Sequence, residues 1–178
     1  KLSFTDLQNL INELRDKLYI TMFNVQKVMG YEEIIGPLLK IRKILIAEYN
    51  SLYLKDLDQL IDKVKIFKTH FATLDIRQDH SVHKNTVESI LKQQGVIKES
   101  LEELSEAELV DQLLHKNFTL QYENFEDDLV RDTIQNIAQL KNIQSKNGEE
   151  GCNRYAISNS EDIFSVLFVY GLLRWCGD

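Results

Sequence analysis

Arg77 lies in the run Leu74-Asp75-Ile76-Arg77-Gln78-Asp79. A guanidinium keeps its charge at any working pH, and its planar fork grips a phosphate or carboxylate through two parallel hydrogen bonds. In an extended segment, Leu74 and Ile76 fall to one side and Thr73, Asp75 and Arg77 to the other. Two roles are open on that basis. Arg77 pairs with Asp75 or Asp79 at the surface, as most strand arginines do. Alternatively, if Leu74 and Ile76 pack outward on helices, Asp75 and Arg77 point inward and Arg77 offers a positioned cation to an anionic ligand. The second role suits a parallel barrel, where active sites are built at the C-terminal ends of the strands.

Other chemistry-bearing residues have plainer readings. His80 and His83 take neighbouring helical positions beside Asp79, but no third ligand stands at a sensible spacing, so no metal site is expected. His83 is read as making a structural hydrogen bond near Arg77, while His70 and His115 have no nameable partners. Glu102, Glu103, Glu106 and Glu108 flank a helix start, where the helix dipole favours negative charge, which explains them without acid–base chemistry. Asp127-Asp128 reads as a solvated face. Cys152 and Cys176 are too few and too far apart for a disulfide framework or a zinc knuckle, and read as free thiols of a reducing compartment.

The elements that must position these groups follow from periodicity. Leu7, Leu10, Ile11, Leu14 and Leu18 predict a first helix over about 5–29, capped from Ser3 and ending near Gly30. Gly36-Pro37 is read as opening a second, with Leu38, Ile41, Leu45 and Tyr49 as its stripe. Leu54–Lys68 forms a third. The period then changes to alternation, predicting a short strand within 70–78. Helices follow over 82–94, after the capping box Ser105–Glu108, and over 125–143. The polar, glycine-bearing stretch 146–153 is a loop leading into a second strand, Arg154–Ser158. A last helix over about 160–176 carries the stripe Phe164, Phe168, Leu172 and Trp175, read as core packing. Two strands separated by helices favour a parallel pair with a right-handed crossover.

The expected fold class is mainly α with a small parallel β element. Residues 1–69 would be a helical scaffold and residues 70–178 a strand–helices–strand–helix portion, a slice of a (β/α) TIM-like barrel whose other strands are absent. No internal repeat or domain boundary stands out. The 178 residues are 43% hydrophobic, enough for a real core. With 28 acidic against 21 basic side chains the net charge is -7, which disfavours nucleic acid or an anionic membrane as partner. Ile163–Trp175, the most apolar stretch, is interrupted by Ser165 and Gly171 and falls short of the roughly 20 residues that span a bilayer. The chain starts at Lys1 without a signal-peptide pattern, and both ends read as cut ends or limits of order.

Leu74-Asp75-Ile76-Arg77-Gln78-Asp79, with His83 behind it, resembles the L-D-I-R-Q-E-S-x-R-H segment of phosphoenolpyruvate carboxylases. It departs at Asp79, His80 and Val82, where the family usually has Glu, Ser and Arg, and at Thr73, which often is an arginine. Glu33–Leu39 is similar to the family's helix-opening E-L-L-E-P-L, and Leu57–Phe67 to the helix leading into the strand. Tyr155-Ala156-Ile157-Ser158 resembles Y-V-I-S, and Ser165–Val169 with Gly177 resembles D-V-L-A-V and the closing A-G, Ser165 replacing an aspartate. Order and approximate spacing agree, while the intervening helices are only loosely similar.

The resemblance implies a cytoplasmic enzyme, commonly a homotetramer, that uses Mg2+ or Mn2+ to join bicarbonate to phosphoenolpyruvate, giving oxaloacetate and phosphate. It implies that Arg77 holds the substrate's anionic oxygens, with Asp75 and Gln78 fixing its direction and His83 in support. The family's T-A-H-P-T-E histidine segment, its glycine-rich loop and the metal-binding Glu and Asp of its F-E-T and G-Y-S-D-S segments do not occur here. The chain is therefore expected to be an inactive fragment that binds no metal, the first of those carboxylates following shortly after residue 178. The competing reading is a helical interaction or scaffold module without catalysis.

Overall fold

The computed structural model describes residues 4–24 and 28–177. Within them the protein is mainly α-helical with one two-stranded parallel sheet, the fold class expected from sequence. The chain divides into two compact units, residues 1–73 with 146–151, and residues 74–145 with 152–178.

The first unit holds α1 (Phe4–Phe23), α2 (Tyr31–Glu48) and α3 (Leu54–Phe67). The proposed cap Ser3 and residues 25–27 of the predicted first helix lie outside the described residues. Residues spaced by three and four build two apolar clusters, one of Leu7, Ile41, Ile44 and Leu45, the other of Leu14, Met29, Ile35, Leu38 and Ile61. Arg42 on α2 grips Asp58 on α3 through Nε at 2.6 Å and Nη2 at 3.2 Å. Here α2 departs from expectation, starting at Tyr31 rather than at Gly36-Pro37. The Gly30 N–H donates to the Glu33 carboxylate at 2.9 Å, which starts the helix earlier and leaves Pro37 inside it. Proline removes the helical donor to the Glu33 carbonyl, and because Glu33 is exposed, water can take that place.

The chain does not extend directly after α3. The Phe71 N–H donates to the Phe67 carbonyl at 2.9 Å, and Phe71 adopts a φ of 59°. This turn consumes residues read as strand, so pairing starts only at Asp75. Thr69 Oγ1 donates to the Asn147 carbonyl at 2.7 Å and Lys68 pairs with Glu150, tying residues 146–151 to this unit. Gly151 fits there because a Cβ would come within 2.7 Å of the His70 Cβ.

In the second unit, β1 (Asp75–Asp79) and β2 (Arg154–Ser158) run parallel, from Asp75 opposite Arg154 to Asp79 opposite Ser158. The connection between them carries α4 (His80–Gln93), α5 (Glu106–His115) and α6 (Asp128–Asn147), and α7 (Ile163–Cys176) follows β2. Side-chain caps set the helix starts. The Ser81 N–H donates to Asp79 at 2.9 Å, Leu129 to Asp127 at 2.8 Å and Phe164 to Asp162 at 2.8 Å. Ser105 and Glu108 form the expected capping box, with the Ser105 N–H 2.9 Å from the Glu108 carboxylate. Glu103 accepts from three backbone N–H groups, of Lys98, Glu99 and Ser100, which hold its carboxyl below the ordinary range. Asp127, read from sequence as a solvated face, is thus a cap.

One continuous core joins Ile90 and Leu91 of α4, Leu113 of α5, Ile137 of α6 and Leu172 and Trp175 of α7. Gly171 brings α7 against α5, where a Cβ would lie 2.7 Å from Leu113 Cδ2. The Trp175 Nε1–H is satisfied by the Lys116 carbonyl at 3.0 Å. The other side of α7 leaves Ile163, Val166 and Tyr170 exposed, so this helix is apolar beyond the face it buries. Cys152 and Cys176 are free and buried, and burial pushes the Cys176 thiol up to about 12, which keeps it protonated.

Candidate functional site

The strand pair has two unlike faces. Ile76 and Gln78 of β1 share the half-buried face with Tyr155 and Ile157 of β2, while Asp75 and Arg77 share the open face with Arg154, Ala156 and Ser158. Leu74 precedes the first paired residue and is 64% exposed, so only Ile76 of the apolar pair is packed. Arg77 projects from the open face with its side chain 77% exposed. Its Nη2 lies 3.4 Å from Asp75 Oδ2, the long end of hydrogen bonding. Asp75 is held more closely by Arg154, whose Nε lies 2.8 Å from Oδ1.

One carboxylate, that of Asp75, is therefore shared between two guanidiniums on an open face. Because Arg154 satisfies Asp75, the Arg77 fork keeps donors for an incoming anion. Arg154 was not singled out from sequence. Its parity with Asp75 depends on the register, which no local pattern fixes. Gln78 lies on the other face and accepts the Asp79 N–H through Oε1 at 2.9 Å, so its bond is local rather than to Arg77.

The C-terminal ends of the strands are joined through Asp79. Its carboxylate accepts from Ser81 N–H and Oγ–H, from Asn159 Nδ2 at 2.5 Å and from Ser158 Oγ at 3.3 Å. These donors, those of Ser81 foremost, lower the Asp79 pKa to about 2. Asn159 has a φ of 52°, in the left-handed region that asparagine tolerates best among residues with a side chain beyond Cβ, and its bond to Asp79 holds it there.

His83 makes a structural hydrogen bond, on the sheet face turned away from Arg77. Its fully buried ring places Nε2 2.9 Å from the Tyr155 hydroxyl, and Tyr155 is the register partner of Ile76. Burial, reinforced by neighbouring His80 and opposed by Asp79, lowers the His83 pKa to about 4. The imidazole is neutral, so either the Tyr155 O–H donates to Nε2 or Nε2–H donates to the Tyr155 oxygen. Burial also raises the Tyr155 phenol to about 12. Among the described residues no group of three or more His, Cys, Asp or Glu side chains is placed to hold a metal ion. No helix of the described residues is long and apolar enough to cross a membrane.

Fold and site together define a mainly helical protein whose second unit holds a parallel strand pair, with a cation on the open strand face and polar clamps at the C-terminal edge. The model of the phosphoenolpyruvate carboxylase family matches residues 5–178, and the chain belongs to that family. It is 30% identical over 142 residues to the phosphoenolpyruvate carboxylase of Thermosynechococcus vestitus, covering 78% of this chain and 14% of that protein. To the enzyme of a Synechococcus species it is 30% identical, over 68% of this chain and 12% of the relative. To that of Gloeobacter violaceus it is 29% identical, over 69% and 14%. The chain thus spans only about an eighth to a seventh of these curated relatives, 12–14% of their length.

Proposed function

We propose that this chain is an internal piece of a phosphoenolpyruvate carboxylase, and that the parent carboxylates phosphoenolpyruvate with bicarbonate to give oxaloacetate and phosphate. Arg77 is the catalytic cation of this segment, neutralising anionic oxygens of the substrate. The observation that carries this reading is the placement of Arg77 on the open face of a parallel strand pair, with only a 3.4 Å contact to Asp75. Asp75 and Arg154 set the local charge, while Gln78 and His83 support the strand from its other face. The bare apolar side of α7 suits a helix that further elements of a (β/α) barrel would cover.

Among the described residues no group of side chains is placed to hold a divalent metal. The Mg2+ or Mn2+ of the family would draw its ligands from elsewhere in the polypeptide. Alone, this segment is expected to be inactive. A cytoplasmic homotetramer is the assembly proposed for the parent.

The test is Arg77→Ala in the full-length polypeptide. Carboxylation should fall at least about a hundredfold, the usual cost of losing one preorganised charge at a reacting centre. Thermal stability should hold, because the side chain is exposed. Arg77→Lys should restore little, since an ammonium cannot reproduce the two-point grip. Near-normal turnover of Arg77→Ala would overturn the assignment.

A further inference from the structure

On β1 the side chains of Asp75, Arg77 and Asp79 share one face, so a carboxylate stands two residues to either side of the guanidinium. Left to that strand alone, Arg77 would be neutralised by its own neighbours. In the folded protein each carboxylate has another partner. Asp79 accepts from Ser81, Ser158 and Asn159, and among the described residues none of its hydrogen bonds comes from Arg77. Asp75 is met by the Arg154 Nε at 2.8 Å, while the Arg77 Nη2 stays at 3.4 Å.

The register of β2 supplies these partners. Arg154 stands opposite Asp75 and Ser158 opposite Asp79, whereas Arg77 faces Ala156, whose methyl offers it no acceptor. The strand pair thus engages both carboxylates and leaves the cation between them. For Asp75 this depends on one residue. Of the two guanidiniums beside it, only that of Arg154 lies within the ordinary hydrogen-bond range.

We propose that Arg154 is a positioning residue, which keeps Arg77 open to an anionic ligand by holding Asp75, the carboxylate that competes for it. The inference rests on the substrate role proposed for Arg77. Without Arg154 the Asp75 carboxylate closes on Arg77, and substrate must displace it before binding. Apparent affinity then falls with the fraction of Arg77 left free, about two- to fivefold for an exposed ion pair. Once substrate is bound the same cation is in place, so the turnover step is unaltered.

The test is Arg154→Ala in the full-length polypeptide, where the Arg154 side chain is 63% exposed and folding should not depend on it. The KM for phosphoenolpyruvate should rise about two- to fivefold with kcat unchanged. Arg154→Lys should stay near the wild type, since an ammonium still engages one carboxylate. Adding Asp75→Asn to Arg154→Ala should return KM to the wild-type value, because no charged competitor is left. A second readout needs no turnover. In this chain the Arg77 side-chain 15Nε resonance, assigned by its loss in Arg77→Lys, should shift on Arg154→Ala and return in the double variant. A resonance indifferent to Arg154→Ala, or a KM rise that Asp75→Asn does not relieve, would overturn the inference. A resonance that shifts and returns with KM unchanged throughout would uphold the positioning and overturn the substrate role of Arg77.

Discussion

The buried His83 ring should make the protein acid-sensitive in a defined window. In the unfolded chain an imidazole titrates near 6.5, whereas burial holds His83 at about 4. A depressed folded pKa means that the unfolded state takes up the proton first, so stability falls as pH falls from 6.5 toward about 4 and the loss then levels off. The limiting slope is about 1.4 kcal/mol per pH unit. Between pH 7 and pH 5 this amounts to about 2 kcal/mol from one side chain. The groups facing the ring do not titrate with it, since Tyr155 sits at about 12 and Asp79 at about 2. His80 is the remaining neighbour and is common to both proteins compared. His83→Gln preserves a partner for the Tyr155 hydroxyl but has nothing to protonate. Urea unfolding followed by the fluorescence of Trp175, the only tryptophan and 4% exposed in the same unit, gives the free energies. The wild type should lose about 2 kcal/mol more than His83→Gln on going from pH 7 to pH 5. Equal losses would refute the reasoning.

Leu172 has no exposed surface, and Leu172→Ala should destabilise the second unit by about 2–5 kcal/mol, seen as a lower urea midpoint. Gly171→Ala should also destabilise, because overpacking against the wholly buried Leu113, about 1–3 kcal/mol, outweighs a helix-propensity gain of up to about 1 kcal/mol. Combining it with Leu113→Ala should cost less than the sum of the two single changes, measured as a double-mutant cycle. For Asp79, carbon-detected NMR titration should give a midpoint of about 2, and Ser81→Ala should move it up toward 3.8 further than Ser158→Ala does. The stabilisation linked to Asp79 is present above 3.8 and is lost as pH falls through its folded value.

Arg77 shows how far a sequence carries a site. The alternation of Leu74–Gln78 placed Asp75 and Arg77 together on one face, as the strand does. It could not name Arg154 as the closer partner of Asp75, because that pairing joins residues far apart in the chain. The polar bond of His83 was legible, but its partner Tyr155 and the face it occupies were not. His80 read as a helical neighbour of His83 beside Asp79, and only the tertiary structure brings Glu161 and Phe168 to it.

Periodicity and capping chemistry act over three or four residues, so the sequence by itself determined the helices, the Ser105–Glu108 box, the buried stripe of α7 and the presence of two strands. Where local signals competed, as at Gly30–Glu33 against Gly36-Pro37, a hydrogen bond to the Gly30 N–H placed the helix start. Tertiary structure alone decided the register of β1 on β2, the donors that converge on Asp79 and the sharing of Asp75 between Arg77 and Arg154. A strand's two-residue period fits equally well after a slip of two, so contacts such as Tyr155 against His83 of α4 and the clamp from Asp79 to Asn159 select one alignment.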